Sequence, residues 1–193
     1  MKAGMKRETL TARIGAAFAA ALLSIVVAAA PAVAEEKAGP GDLDFFLGEW
    51  DIVSINALPD GTYAESRARS HAYRFLDGAA IMDEWRSLNG AGDIVFRGAS
   101  FRTWLPATGQ WRIVWMMAHV DGATIIDGKM VDGEFHMTGK GRDPGGEFLE
   151  SARYHHISED GFIFTMDRSY DGGETWITPF NEFKATRITD DAK

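Results

Sequence analysis

Trp111-Arg112-Ile113-Val114-Trp115-Met116-Met117-Ala118-His119 decides the fold class. Successive side chains of an extended chain point to opposite sides, so Trp111, Ile113, Trp115, Met117 and His119 share one face. That face is too bulky and apolar to be left in water, and it predicts a strand with one side in a core. The stretch is bounded by Pro106-Ala107-Thr108-Gly109 before it and Asp121-Gly122 after it, both turn signals. Outward from there the punctuation continues at nearly even spacing: Pro59-Asp60-Gly61, Asp77-Gly78, Asn89-Gly90-Ala91-Gly92-Asp93, Asp132-Gly133, Asp143-Pro144-Gly145-Gly146, Asp160-Gly161 and Asp171-Gly172-Gly173. Glycine takes positive φ without steric cost, which is what tight hairpins demand. Nine breaks thus separate ten strand-length segments with no helical run between them. The fold class expected is all-β, an antiparallel up-and-down barrel of about ten strands. A barrel is preferred to a sandwich because closure removes exposed strand edges.

Phe162, Phe164, Met166, Arg168 and Tyr170 repeat the alternating pattern. Tyr63–Phe75 is different: Tyr63, Glu65, Arg67, Arg69, His71, Tyr73 and Phe75 share one side, and the other is mostly Ala and Ser. Two readings of that mixed face stand at this point, a solvated exterior or a polar-lined interior.

Residues 1–34 read as an export signal. Lys2, Lys6, Arg7 and Arg13 precede an apolar run over 14–30, and Pro31 leads into Ala32-Val33-Ala34, a small-x-small cleavage site. The rival reading is an uncleaved anchor, since the run nearly reaches the length of a membrane span. Pro31 and the alanine site serve no purpose in an anchor. Cleavage after Ala34 predicts a periplasmic or secreted chain without stable membrane association. Residues 35–42 then form a flexible leader, 43–188 one barrel domain and 189–193 a tail. Loss of the signal takes the formal net charge from −8 to −11, a field that repels nucleic acid and anionic lipid. The chain has no cysteine, which excludes disulfides, thiol nucleophiles, Cys-ligated zinc and the usual bacterial lipid anchor.

Asp44-Phe45-Phe46-Leu47-Gly48-Glu49-Trp50-Asp51 resembles the opening of the calycins, the superfamily of lipocalins, fatty-acid-binding proteins and nitrobindins. The resemblance implies a 3₁₀ turn before a Gly48-x-Trp50 strand, Trp50 plugging the barrel floor, and Arg187 from the last strand covering it. The chain also resembles a bacterial lipocalin-like domain family of unknown function, with a Leu-Gly-x-Trp start and a late Asp-Gly-Gly-x-Thr-Trp turn. That likeness covers most of 43–188 and implies a fold without a reaction. Ser169-Tyr170-Asp171-Gly172-Gly173-Glu174-Thr175-Trp176 matches the Asp-box pattern of sialidases. Here it reads as a structural staple: Asp171 bonds turn amides, Gly173 supplies a left-handed position, and Trp176 is expected to bury under the hairpin. One copy does not make a sialidase propeller.

His71, His119, His136, His155 and His156 all fall on expected strands, without a His-x-His pair. Adjacent His155 and His156 should point to opposite faces. No metal site is therefore expected. Nitrobindin-like haem binding is kept as a minor alternative, with His155 or His156 as its late-strand ligand. No nucleophile elbow, phosphate loop or dinucleotide fingerprint is present.

The reading that combines these features is a container for a small, largely apolar or aromatic molecule, with His71, Tyr73, Trp85, Arg102, Trp104, Trp115 and Arg153 as expected liners. Trp and Met supply soft contact area, and Arg102 or Arg153 would anchor a carboxylate or other polar head. A second hypothesis is a proton-transfer enzyme, an isomerase, hydratase or cyclase, using Asp83, Tyr73 and His71 in the same cavity. A third is a filled barrel acting through its outer surface.

Overall fold

The protein is described by a computed structural model over residues 38–189. The segment read as an export signal, the first residues of the leader and the end of the tail lie outside the described residues. A 3₁₀ turn, η1 (Asp44–Phe46), leads into β1 (Gly48–Ala57), β2 (Tyr63–Phe75), β3 (Ala80–Leu88), β4 (Ile94–Leu105) and β5 (Gln110–Met117). The second half continues with β6 (Thr124–Val131), β7 (Glu134–Asp143), β8 (Gly146–His155), β9 (Gly161–Ser169) and β10 (Ile177–Arg187). Every strand pairs antiparallel with its sequence neighbours, and β1 pairs with β10 to close the barrel. The corners show why Asp-Gly was diagnostic. Asp77-Gly78 and Asp132-Gly133 both hold positive φ at each residue, the geometry that matches strand twist.

Alternation assigns each strand an inner face. Trp50 and Ile52 point inward on β1; Trp111 and Ile113 on β5; Phe135 and Met137 on β7; Phe148, Glu150 and Tyr154 on β8. On β2 the inner positions are the small ones, Ala68, Ser70 and Ala72, and the bulky polar-aromatic side is exterior. His71 and Tyr73 therefore do not line the interior. Tyr73 instead donates from Oη to Glu84 Oε1 at 3.2 Å, and its ring lies 5.0 Å from that of His71. Arg153 likewise projects outward, its side chain 49% exposed and paired with Glu134 at 3.3 Å. The inward phase of β8 belongs to Glu150, Ala152 and Tyr154, and one step along a strand changes face.

The floor is built at the η1 end. Leu43, Phe46 and Trp50 are buried, and Trp50 Nε1 donates to Phe46 O at 2.8 Å. Arg187 lies over the Trp50 ring with its guanidinium carbon 4.1 Å from the ring centre. Arg187 also donates to the carbonyls of Leu47 at 2.8 Å and Phe45 at 3.3 Å, so the last strand ties down the first turn. Gly48 has φ of 123°, and a Cβ at that position would collide with Arg187 Nη1. Trp104 and Trp111, with ring centres 6.2 Å apart, extend the seal; Trp111 Nε1 donates to Gly39 O at 3.3 Å.

The Asp-box turn joins β9 to β10. Asp171 accepts from Thr175 N at 2.9 Å, Thr175 Oγ1 at 2.6 Å and Ser169 Oγ at 2.7 Å. Gly173 holds φ of 99°. Trp176 departs from the expectation: it remains 41% exposed, donating from Nε1 to Gly173 O at 3.1 Å. The turn is closed by its own hydrogen bonds, so it has no need of the indole as a plug.

Candidate functional site

Above the floor the strands enclose a cavity of about 390 Å³. Its mid-section is apolar, with Trp85 from β3, Trp115 from β5, Ile126 from β6, Met137 from β7 and Phe164 and Phe183 from β9 and β10. The Trp85 ring packs edge-on to Trp115 at 6.5 Å and tilts against Phe183 at 5.4 Å. The lining reaches exposed Val120 and Pro144 in the β5–β6 and β7–β8 connections, so the cavity meets solvent at the end opposite η1. Glycine makes part of this room. Gly139 and Gly141 take inward positions on β7, where added Cβ atoms would press on Ile126 and on Phe148.

Two polar centres interrupt the apolar wall. The lower centre joins β2, β3, β4 and β8. Ser70 Oγ donates to Asp83 Oδ1, and Ser100 Oγ donates to Asp83 Oδ2 at 3.3 Å. Arg102 donates through Nη2 to Asp83 Oδ2 at 3.3 Å, through Nε to Ser100 Oγ at 2.9 Å, and through both terminal nitrogens to Tyr154 Oη at 3.4 Å. Its guanidinium lies 3.7 Å from the centre of the Phe46 ring. The Arg102 side chain is 4% exposed and that of Asp83 3%. A buried ion pair persists when its remaining donors and acceptors are also satisfied, and the two serines and the tyrosine do that here. Burial pushes the Tyr154 phenol above its ordinary value, against the pull of Arg102.

The upper centre joins β7, β8 and β9 near the open end. Arg168 donates through Nη1 to Asp143 Oδ2 at 2.7 Å and through Nη2 to Glu150 Oε1. Tyr170 Oη donates to the same Asp143 oxygen at 2.8 Å. The guanidinium is sandwiched between Phe148 and Phe180, 3.9 Å from each ring centre. Desolvation raises the Glu150 carboxyl above its ordinary value, with Arg168 opposing and Asp143 adding to the rise.

The expected liners separate by face. Trp85, Arg102 and Trp115 line the cavity, and Trp104 stands on the inward phase of β4 near the floor. His71, Tyr73 and Arg153 are outside, so the carboxylate anchor expected of Arg153 is not in the cavity. The acid–base set of Asp83, Tyr73 and His71 is not assembled either, because Asp83 is inside and the other two are not. Among the described residues no histidine lines the cavity. His119 falls in the turn after β5 with φ of 67°, beyond the strand in which its face was counted. His155 and His156 do not diverge. The chain leaves β8 at His156 with φ of 51°, which brings the two Nδ1 atoms to 2.6 Å, while His155 Nε2 lies 2.7 Å from Thr165 Oγ1. Their rings thus face one another and the outward side of β9, and they do not fit the role of a haem ligand inside the barrel. Among the described residues no group of three or more potential ligands is placed to hold a metal ion.

Sequence reasoning missed Asp143, Glu150 and Arg168. The signal was present: Phe162-Phe164-Met166-Arg168 puts a charge in phase with a wholly apolar face, and Phe148-Glu150-Ala152-Tyr154 does the same. A charge in the buried phase of an alternating strand needs a buried partner.

No protein-family model matches the chain, and no curated protein matches it. Solved structures do. Rv2717c from M. tuberculosis aligns with a TM-score of 0.57 at 12% identity, covering 77% of this chain and 98% of its own. The S-type phycobiliprotein lyase CPES from Guillardia theta aligns at 0.54 and 12%, covering 76% of this chain and 90% of its own. Both are calycin-like ten-stranded barrels, and at that identity the likeness is one of fold.

Proposed function

We propose that this protein is an exported container that holds a small, largely apolar or aromatic molecule inside its barrel. The observation that carries the reading is the cavity itself. Packed β interiors leave few voids larger than a water molecule, whereas this one keeps about 390 Å³ beside two tryptophans, with a route to solvent. Trp85 and Trp115 present rigid aromatic area, and Met117, Met137 and Met166 can adapt to ligands of different shape. The fold is shared with a phycobiliprotein lyase. Membership of the bacterial lipocalin-like domain family and cleavage after Ala34 belong to the same proposal, supported by the motif residues and by the basic, apolar and small-residue order of residues 1–34.

The test is native mass spectrometry with an absorption spectrum on protein purified from its own host. A co-purifying mass that disappears in Ala152→Phe, where a large ring enters the cavity from β8, supports the container. A filled-barrel role at the outer surface predicts instead that no mass co-purifies with the unaltered protein. A mature chain beginning at Glu35 in the same spectrum supports export, and one retaining Met1 overturns it.

A further inference from the structure

The ligand of the proposed container has to match the polar groups that the cavity leaves available, and these are unevenly divided. Both lining guanidiniums are committed. Arg102 spends Nε on Ser100, both terminal nitrogens on Tyr154 and one of them also on Asp83. Arg168 spends Nη1 on Asp143 and Tyr170 and Nη2 on Glu150. Its Nε is fully buried without an acceptor among the described residues. Each guanidinium charge is thus already matched by a buried carboxylate, Arg102 by Asp83 and Arg168 by Asp143 and Glu150.

Acceptor capacity is in surplus. Asp83, Asp143 and Glu150 set three carboxylates against two guanidiniums in the lining. Glu150 is the one that faces the cavity with capacity to spare. Its side chain is 7% exposed, and Oε1 takes the bond from Arg168. Oε2 receives no hydrogen bond from the described residues and lies over Gly139, where the missing side chain leaves space. A carboxylate oxygen held in a nearly dry site gains most from a donor that also carries positive charge.

We infer that the ligand is a cationic amphiphile, an aromatic or apolar body carrying a protonated amine or amidine, with its cationic head seated on Glu150 and its body against Trp85 and Trp115. This deepens the container reading and rests on it. The acidic balance of the chain, −8 over its full sequence, works in the same direction by steering cations toward the barrel. Carboxylate ligands are refused, since they would bring a fourth negative charge to a site whose cations are already paired.

Three matched probes test this on the full chain: 1-naphthylmethylamine, 1-naphthalenemethanol and 1-naphthylacetic acid, titrated by calorimetry at neutral pH. The amine should bind about tenfold or more tighter than the alcohol, the worth of one charge-assisted hydrogen bond, with the acid weakest. Glu150→Gln should erase the preference for the amine over the alcohol. Asp143→Asn, which removes a neighbouring charge closer to the mouth, should reduce the preference without erasing it. The wild-type ranking decides even if a variant fails to fold. An acid that binds as tightly as the amine overturns the inference and leaves the container standing. Failure of all three probes to bind overturns both.

Discussion

Trp50 and Arg187 stand opposite one another across the β1–β10 seam, with the guanidinium carbon 4.1 Å from the indole ring centre. This places the closing contact of the barrel and the lid of its floor in one pair. Arg187 also holds the carbonyls of Phe45, Leu47 and Glu159, so the side chain joins η1, the seam and the β8–β9 turn.

Arg187→Ala should therefore cost more than a surface arginine. The loss is about 2 kcal/mol, combining the stacking on Trp50 and the stranded carbonyls. Gly48→Ala should cost at least as much, because the added Cβ meets Arg187 and φ of 123° is unfavourable for an L side chain. Urea unfolding monitored by tryptophan fluorescence measures both. A change within the range of ordinary surface substitutions for Arg187→Ala would show that the seam does not depend on it.

Removal of Arg102 leaves Asp83 buried beside two serines without its counter-charge. Arg102→Ala should destabilise the fold by about 3–5 kcal/mol. The double variant Arg102→Met, Asp83→Leu should recover a large part of that loss, since the penalty is mostly that of an unpaired buried charge. A double-variant loss equal to the sum of the single losses would contradict this coupling.

Stability should depend on Glu150 in the direction opposite to an ordinary paired carboxylate. Its folded-state pKa is raised, so the native state holds the proton more tightly than the unfolded chain. Its contribution is complete below the ordinary value of 4.5 and is lost as pH rises through the folded value. Asp143, Arg168 and Tyr170 face it from β7, β9 and the turn after β9, and Glu150→Gln leaves them in place. In that variant the decline of stability with rising pH above 4.5 should flatten, as read by thermal melts across a pH series. An unchanged slope would place the effect elsewhere.

Asp171 has the reverse sign. Bonds from Thr175 and Ser169 hold its carboxyl well below the ordinary value of 3.8. Its support is present above 3.8 and is lost as pH falls toward the depressed folded value. Hydrogen exchange at Gly173 and Thr175, whose amides bond Ser169 Oγ and Asp171 Oδ1, should accelerate in Asp171→Ala. Exchange across β1 to β5 should hardly change, because the turn is fastened locally.

Much of the fold was legible because its causes are local. The alternation in Trp111–Met117 and the paired positive-φ corners at Asp77-Gly78 and Asp132-Gly133 act within a few residues, and Tyr63–Phe75 is a strand over the whole span its pattern marks. The Asp83–Arg102 pair needs only one local hairpin, since the two residues lie on consecutive strands. Alternation defines two faces and does not say which one turns inward. On β2 the tertiary structure put Ala68, Ser70 and Ala72 inside and sent His71 and Tyr73 out, because a barrel already holding Trp50, Trp85 and Trp115 has room at that wall only for small side chains. The upper polar centre depended on closure still more. Asp143, Glu150 and Arg168 meet only once β7, β8 and β9 are in register, and a charge on an apolar face cannot announce its partner until the neighbouring strand supplies it. Sequence by itself therefore determined strands, turns and the closed all-β architecture. Which side chains share the cavity was decided by the packing of strands against one another, where available volume and the pairing of buried charge select the face.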